Sequence, residues 1–261
     1  MHWTARFAVA LAVAAGGLAA GCQSSPTGSD DVWIAGSDTM LPLTMRLAEA
    51  YMSLHPGVAV RVEGGGTGAG VEALLSGSVD LCAASRPFRP QEIQALYERF
   101  GTMGIRYLVA RDALVVLVHP DNPVRGLTPE QLGAVFSGGI EDWSELGAPP
   151  GRIEVIIRPP SSGTHHFFRD HVLLNADYAP GSVIGIRSRD VEDRIRSRPL
   201  AIGFGGMVQG EGLVRLEIDG VPATAETVRD GSYSLARYLY FYATEPPSGD
   251  PAHFVEWCAG P

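Results

Sequence analysis

The chain reads as an α/β protein with largely parallel or mixed sheets. Three observations predict this class. Apolar strand-like runs alternate with amphipathic helical stretches from residue 32 to about residue 204. Three of those strands lead into the same kind of turn, built of glycines and small hydroxyl residues, which opens a helix. Hydrophobic residues make up 45% of the 261, enough to fill a core.

The first thirty residues stand apart from that alternation. Arg6 precedes an apolar run from Phe7 to Ala20, followed by Gly21-Cys22. This is a charged n-region, a short apolar h-region and small residues at a cleavage point, too short for an ordinary membrane span. Leu18-Ala19-Ala20-Gly21-Cys22 resembles the bacterial lipobox, with Ala19 where that motif prefers Leu, Val or Ile. The resemblance implies residues 1–22 as a lipoprotein signal peptide, lipidation at Cys22 and a periplasmic or cell-surface location, anchored to a bacterial membrane. A plain secretory peptide cut nearby is the alternative. Residues 23–30 read as a flexible tether.

The folded part follows in order. Val32 to Ala35 is a short apolar strand, then Gly36-Ser37-Asp38-Thr39, then a helix with Leu43, Leu47, Ala50, Tyr51 and Leu54 on one face. Val58, Val60 and Val62 alternate with polar or small residues as a second strand. Glu63-Gly64-Gly65-Gly66-Thr67-Gly68 follows, and a helix through Val71, Leu74 and Leu75. Gln91 to Phe100 is a further amphipathic helix. Tyr107 to His119 is long for one strand, and Arg111-Asp112 interrupts it. A strand pair crossing between lobes, bent at Arg111-Asp112-Ala113, accounts for it. Thr128-Pro129-Glu130-Gln131 is a capping box with Pro at the first helical position. Ile153 to Ile157 is a strand, Arg158-Pro159-Pro160-Ser161-Ser162-Gly163-Thr164 its turn, and a helix runs from Thr164 through Val172. Leu200 to Phe204 and Val214 to Ile218 are strands, and the tyrosine-rich stretch Leu235 to Ala243 reads as a helix.

The three turns share one chemistry. Glycine and hydroxyl residues at a strand-to-helix turn leave N–H groups free and let an anion approach, while the helix N-terminus favours negative charge. Arg158 adds a fork of donors suited to tetrahedral oxyanions. Each turn alone is equally an ordinary cap; three that could converge point to one small oxyanion. The net charge of −9 argues against nucleic acid and does not exclude an anion, because short-range capture rests on local donors. The basic residues are all arginine, which excludes a P-loop or Schiff-base lysine. With Cys22 set aside, Cys82 and Cys258 remain, either as a disulfide or as two buried thiols. No catalytic residue and no cofactor are expected.

The motifs together resemble the PstS-type phosphate-binding substrate proteins of bacterial ABC importers, in the type II periplasmic binding protein fold. The matching stretches are Gly-Ser-Asp-Thr at 36–39, Gly-Thr-Gly-Ala-Gly at 66–70, Val79-Asp80-Leu81 to Ser85-Arg86-Pro87, and Leu127 to Leu132. They continue with Phe136-Ser137-Gly138, Trp143 to Gly147, Arg158 with Ser162-Gly163-Thr164, Ala201 to Phe204, and Tyr233 to Tyr240. The resemblance implies two lobes with mixed sheets and a hinge: residues 31–112 as the first part of lobe 1, 113–204 as lobe 2, and 205–261 as the return segment, with hinge points near Ala113 and after Phe204. It implies inorganic phosphate and an importer permease as partners, and a monomer. It implies a site of Ser37, Asp38, Thr39 and Met40, Thr67 and Gly68, Ser85 and Arg86, and Arg158, Ser162, Gly163 and Thr164. In it the N–H groups of Met40 and Gly68 contact the anion, and Arg86 is either a second positive charge or a salt-bridge partner. Many members place an Asp where Ser85 stands, to accept the proton that phosphate keeps and sulfate lacks. We expect either that Asp38 supplies that acceptor or that sulfate is rejected less strongly; the alternative function is that of a binding protein or sensor for another tetrahedral oxyanion, such as sulfate or molybdate, not coupled to phosphate uptake.

Two rival readings use the same turn. Ser162 with His165 or His166 and Asp170 suggests a hydrolase, but the Gly-x-Ser-x-Gly elbow is absent. His165, His166 and His171 suggest zinc, but offsets of five and six do not share a helical face.

Overall fold

The computed structural model describes residues 31–260. Its elements are β1 (Val32–Gly36), α1 (Leu41–Leu54), β2 (Val60–Glu63), α2 (Thr67–Ser76), β3 (Leu81–Ala84), α3 (Pro90–Phe100), β4 (Ile105–Val118), β5 (Gly126–Leu127), α4 (Pro129–Ser137), a 3₁₀ turn at Trp143–Leu146, β6 (Glu154–Ile157), α5 (Gly163–His171), β7 (Val183–Ile184), α6 (Ser188–Ser197), β8 (Ala201–Gly206), β9 (Val214–Arg215), β10 (Glu217–Ile218), α7 (Ala225–Asp230), β11 (Ala236–Ala243) and α8 (Gly249–Ala259). The expected signal peptide, the expected anchor at Cys22 and the expected tether at 23–30 lie outside the described residues. Among the described residues no helix is long and apolar enough to cross a membrane.

One curled mixed sheet runs β2-β1-β3-β11-β4-β8-β6-β7, with β9 also paired to β4; β10 and β5 form a separate two-stranded ladder. At one end β1 lies parallel between β2 and β3; at the other β6 lies parallel between β8 and β7. The two parallel groups are joined by β11 and β4, which run antiparallel to each other and to their outer neighbours β3 and β8. The mixed α/β architecture is that of the two-lobed binding proteins.

Each half has helices on both faces of its sheet, so its strands are buried on both sides and read as continuous apolar runs. In the first half, Ala48 and Tyr51 of α1 and Phe254 and Val255 of α8 pack with Val32 and Ile34 on one face. Val71 and Leu74 of α2 and Leu96 of α3 pack with Cys82 and Ala84 on the other. In the second half, Leu114, Val116 and Val118 of β4 join Phe136, Phe168 and Phe204, while Val115 and Leu117 turn to Val191 and Ile195 of α6. That period-two division is the signature of a strand buried on both faces.

The stretch expected as a tyrosine-rich helix is a correction: it is β11. Leu239, Phe241 and Ala243 face the α1–α8 core, and Tyr240 and Tyr242 face the α2–α3 core. Leu235, Leu239 and Tyr242 mimic helical spacing because every position except Arg237 is apolar or aromatic. Burial on both faces removes the alternation that would have marked a strand. The Tyr107–His119 run is one strand, not a pair. Its first half pairs with β11 and its second with β8, so it passes from one core to the other at Ala113. The Val214–Ile218 run is divided: β9 pairs β4 and β10 pairs β5.

Leu216, Ile218, Val228, Tyr233 and Leu235 belong to the same core as Phe136 and Phe204. β11 passes Ala113 between Leu235, which lies in that core, and Leu239, which lies in the α1–α8 core. There Ala236 is opposite Ala113 and Arg237 opposite Asp112. Cys82 and Cys258 are free thiols, so of the two alternatives the structure takes the unbridged one. Burial raises both, Cys258 to about 12.

Candidate functional site: three turns at the strand ends

The carboxyl ends of β1, β2, β3 and β6 point to one place, the usual position for ligands in open α/β sheets. After β1, the Gly36 backbone lies against the Ala83 carbonyl, where a side chain has no room. The chain then turns through Ser37 and Asp38 into α1. The Ser37 amide donates to Ala83 O, and the Met40 amide donates to Ser37 O at 3.0 Å and lies 3.4 Å from its Oγ. The Met40 side chain is in the core.

After β2, three glycines carry the backbone into α2. Gly65 and Gly66 have φ values of +123° and +95°, which glycine adopts at least cost. The Gly66 backbone rests against Ser161, and the Gly68 amide donates to Ser161 O at 2.9 Å, so this loop touches the β6–α5 turn across the cleft. Thr67 Oγ1 is 3.5 Å from Ser85 Oγ and accepts the Ser85 amide at 3.3 Å. Both side chains are buried. A Cβ on Gly163 would run into both hydroxyls.

After β6, Ser162 caps α5 by accepting the His165 amide. The amides of Gly163 and Thr164 donate to nothing among the described residues. Thr164 Oγ1 lies 2.8 Å from Thr39 Oγ1, so the α1 and α5 N-termini face each other through two hydroxyls.

Arg158 is 2% exposed. Its Nη1 donates to Ser188 Oγ and its Nη2 to Asp38 Oδ2, each at 2.7 Å, with Ile186 O at 3.2 Å. Its Nε has no partner among the described residues. A buried unpaired donor on a cation is costly unless a ligand completes it. Burial holds the Arg158 guanidinium below its ordinary pKa; Asp38 pulls the other way, and Arg237 adds to the lowering. Asp38 also accepts the Gly65 amide at 2.9 Å, so it ties the second loop, its own loop and Arg158 together.

Arg86 is neither a surface group nor a free charge. It is buried and holds Glu92 through two bonds of 2.7 Å, with Pro87 O at 2.9 Å. Burial pushes the Glu92 carboxyl up, but bonds from Arg86 and the Arg89 amide and the charges of both arginines bring it below its ordinary value.

The histidines of α5 are committed to the backbone. His165 Nδ1 meets Arg158 O at 2.7 Å, His166 Nε2 meets Pro160 O at 2.6 Å, and His171 Nδ1 meets Phe167 O at 2.9 Å. Burial lowers both His165 and His166, the latter to about 4, so His166 is neutral and donates from Nε2. The Ser162 hydroxyl serves the helix cap rather than an imidazole, and no cluster of metal ligands occurs among the described residues.

Two residues of this neighbourhood escaped the motif reading. Arg237 Nη1 donates to Thr164 Oγ1 at 3.0 Å, while its Nε and Nη2 hold Asp112 Oδ2 at 2.9 and 2.7 Å. The available signal was charge interrupting each of two apolar runs, Arg111-Asp112 in 107–119 and Arg237 in 235–243.

The PBP superfamily domain matches residues 22–261. The phosphate-binding protein PstS of Staphylococcus saprophyticus is 30% identical over 252 residues, covering 91% of this chain and 77% of that protein. PstS of Pseudomonas aeruginosa is 29% identical over 232 residues, covering 82% of this chain and 72% of the relative. Among solved structures, a phosphate ABC transporter substrate-binding protein from Clostridium perfringens, determined with bound phosphate, superposes with a TM-score of 0.82 at 27% identity, over 87% of this chain and 92% of that one. The strand order, the glycine and hydroxyl loops and these likenesses agree: the chain belongs to the PBP superfamily, among its PstS-type substrate-binding proteins.

Proposed function

We propose that this chain binds inorganic phosphate outside the cytoplasm and delivers it to the permease of an ABC importer, as a monomer and without catalysis. The supporting observation is that the start of α5 gathers Thr39 against Thr164, and Thr67 and Ser85 against Gly163, while Arg158 at the head of the same turn is buried with an Nε that lacks a partner among the described residues. The free amides at the start of α5 and the hydroxyls of Thr39, Thr67 and Thr164 are the donors that a tetrahedral oxyanion needs. Micromolar affinity requires about 8 kcal/mol, and charge-assisted hydrogen bonds give roughly 1.5–3 kcal/mol each, so such a set suffices after ordering costs. The Gly68 amide serves Ser161 in this arrangement, so its use by phosphate requires that contact to exchange as the lobes move about β4 and β11.

Ser85 at the usual carboxylate position favours a second reading, in which sulfate or molybdate is also taken. Asp38 is the only carboxylate among the proposed site residues. Each of its oxygens accepts one bond, leaving a lone pair for a phosphate hydroxyl. Titration calorimetry of the purified protein with phosphate, sulfate, arsenate and molybdate tests both readings. Phosphate binding with at least tenfold weaker sulfate supports the first reading. Equal binding supports the second. Heat from none of the four refutes the oxyanion assignment. Membrane attachment through Cys22 is part of the proposal and would place the protein at the periplasmic or outer face of a bacterial membrane.

A further inference from the structure

We propose that Arg237 is a positioning residue of the oxyanion site, that it orders the Thr164–Thr39 hydroxyl pair so that the outward proton, on Thr39, points toward the bound anion, and that Asp112 limits the positive charge it brings. The inference rests on the oxyanion reading above and goes beyond the three loops on which that reading stands.

The argument begins with hydrogen-bond direction. An arginine only donates. Arg237 Nη1 therefore fills an acceptor site on Thr164 Oγ1, 3.0 Å away. The Thr164 proton then points elsewhere. Thr39 Oγ1 lies 2.8 Å off, and if Thr164 donates there, the Thr39 proton is left to donate onward. The chain Arg237 to Thr164 to Thr39 thus becomes a polarised relay of donors. Ionised oxygens of an anion are suited to it, and a protonated oxygen is not. The protonated corner of phosphate then belongs on the opposite side, beside Asp38.

The guanidinium is held for this task. Asp112 Oδ2 takes Nε and Nη2, and Asp112 Oδ1 accepts the Met207 amide at 2.9 Å. The Arg237 carbon lies 5.5 Å over the Phe167 ring. The Gly206 backbone packs against Thr39, Asp112 and Arg237, so that a Cβ there would strike the Thr39 methyl. Further N–H groups on Nη1 and Nη2 have no acceptor among the described residues. Two buried guanidiniums, Arg158 and Arg237, are each opposed by one aspartate, and they lie close enough that the charge of Arg237 lowers the Arg158 pKa. An anion placed between them relieves their mutual repulsion.

The two members of the Arg237–Asp112 pair have opposite expected signs. Calorimetry on the full-length protein with phosphate and with sulfate, from pH 5.5 to 8.5, reads them. Arg237→Met should weaken both anions by about ten- to hundredfold. It should also flatten the rise in phosphate affinity as the anion loses its second proton. Asp112→Asn should leave binding intact or tighten it by about threefold, because it unmasks the Arg237 charge. A merely structural pair would weaken binding on loss of either member. If Arg237→Met leaves Asp112 buried alone and the protein unfolds, the double variant Asp112→Asn with Arg237→Gln carries no lone charge. It must then bind at least about tenfold more weakly than Asp112→Asn. Arg237 variants within about twofold of wild type, or Asp112→Asn weakening as much as Arg237→Met, overturn the inference and leave the oxyanion reading standing. Absence of phosphate and sulfate binding by the wild type overturns both.

Discussion

Asp38 and Arg158 are 120 positions apart and meet at 2.7 Å across the cleft, with both side chains buried. The contact joins the turn after β1 to the turn after β6, one from each half of the sheet. It makes the charge of the pocket and the seating of the two halves one problem, because either partner alone would be a desolvated ion.

Asp38→Asn separates those roles. Breaking a buried pair on one side is expected to cost about 3–5 kcal/mol of stability, read as a lower urea midpoint. If Asp38 accepts the phosphate proton, sulfate competition should strengthen relative to phosphate. Strong rejection of sulfate that survives Asp38→Asn would rule out both explanations offered for Ser85.

Gly163→Ala should strike binding harder than folding. The new methyl lies against the Thr67 and Ser85 hydroxyls across the cleft, so it wedges the two halves apart. Phosphate affinity is expected to fall by about a hundredfold, some 2.7 kcal/mol, with an unfolding midpoint near that of wild type. An affinity unchanged by the methyl would show that these groups do not come together when the anion binds.

The α5 histidines predict an acid-side loss of stability. His166 in the folded chain is depressed to about 4 from an ordinary value near 6.5, and His165 moves in the same direction, both chiefly through burial. The unfolded state therefore binds more protons between those values, and stability rises with pH through that window. Lowering the pH from 6.5 toward 4 should remove on the order of 2–3 kcal/mol through His166. Urea unfolding at several pH values checks this, and His166→Gln should flatten the dependence.

Cys22→Ala tests the anchor. Labelled palmitate should enter the wild-type protein and not the variant, and the variant should leave the membrane fraction. Label retained by the variant would place the modification elsewhere.

Much of the site was legible locally. Glycines, hydroxyls and an arginine at strand-to-helix turns carry their meaning within a few residues, because free amides and φ beyond zero are local properties. The capping box at Thr128 and Gln131 forms as its spacing requires. The helix expected at 235–243 shows where local reading stops. A strand buried on both faces and a buried helix present the same unbroken apolar run, and only the neighbours β3 and β4 decide between them.

The sequence by itself determined the alternation of strands and helices, the three anion-suited turns and the position of Arg158. The tertiary structure decided that Asp38 pairs with Arg158, that Arg86 is held by Glu92, and that Arg237 and Asp112 stand beside Thr164. The reason is that a charge finds its partner through space. The sequence shows how many charges there are and where along the chain they fall, while the pairing of β11 with β4 sets which of them come together out of water.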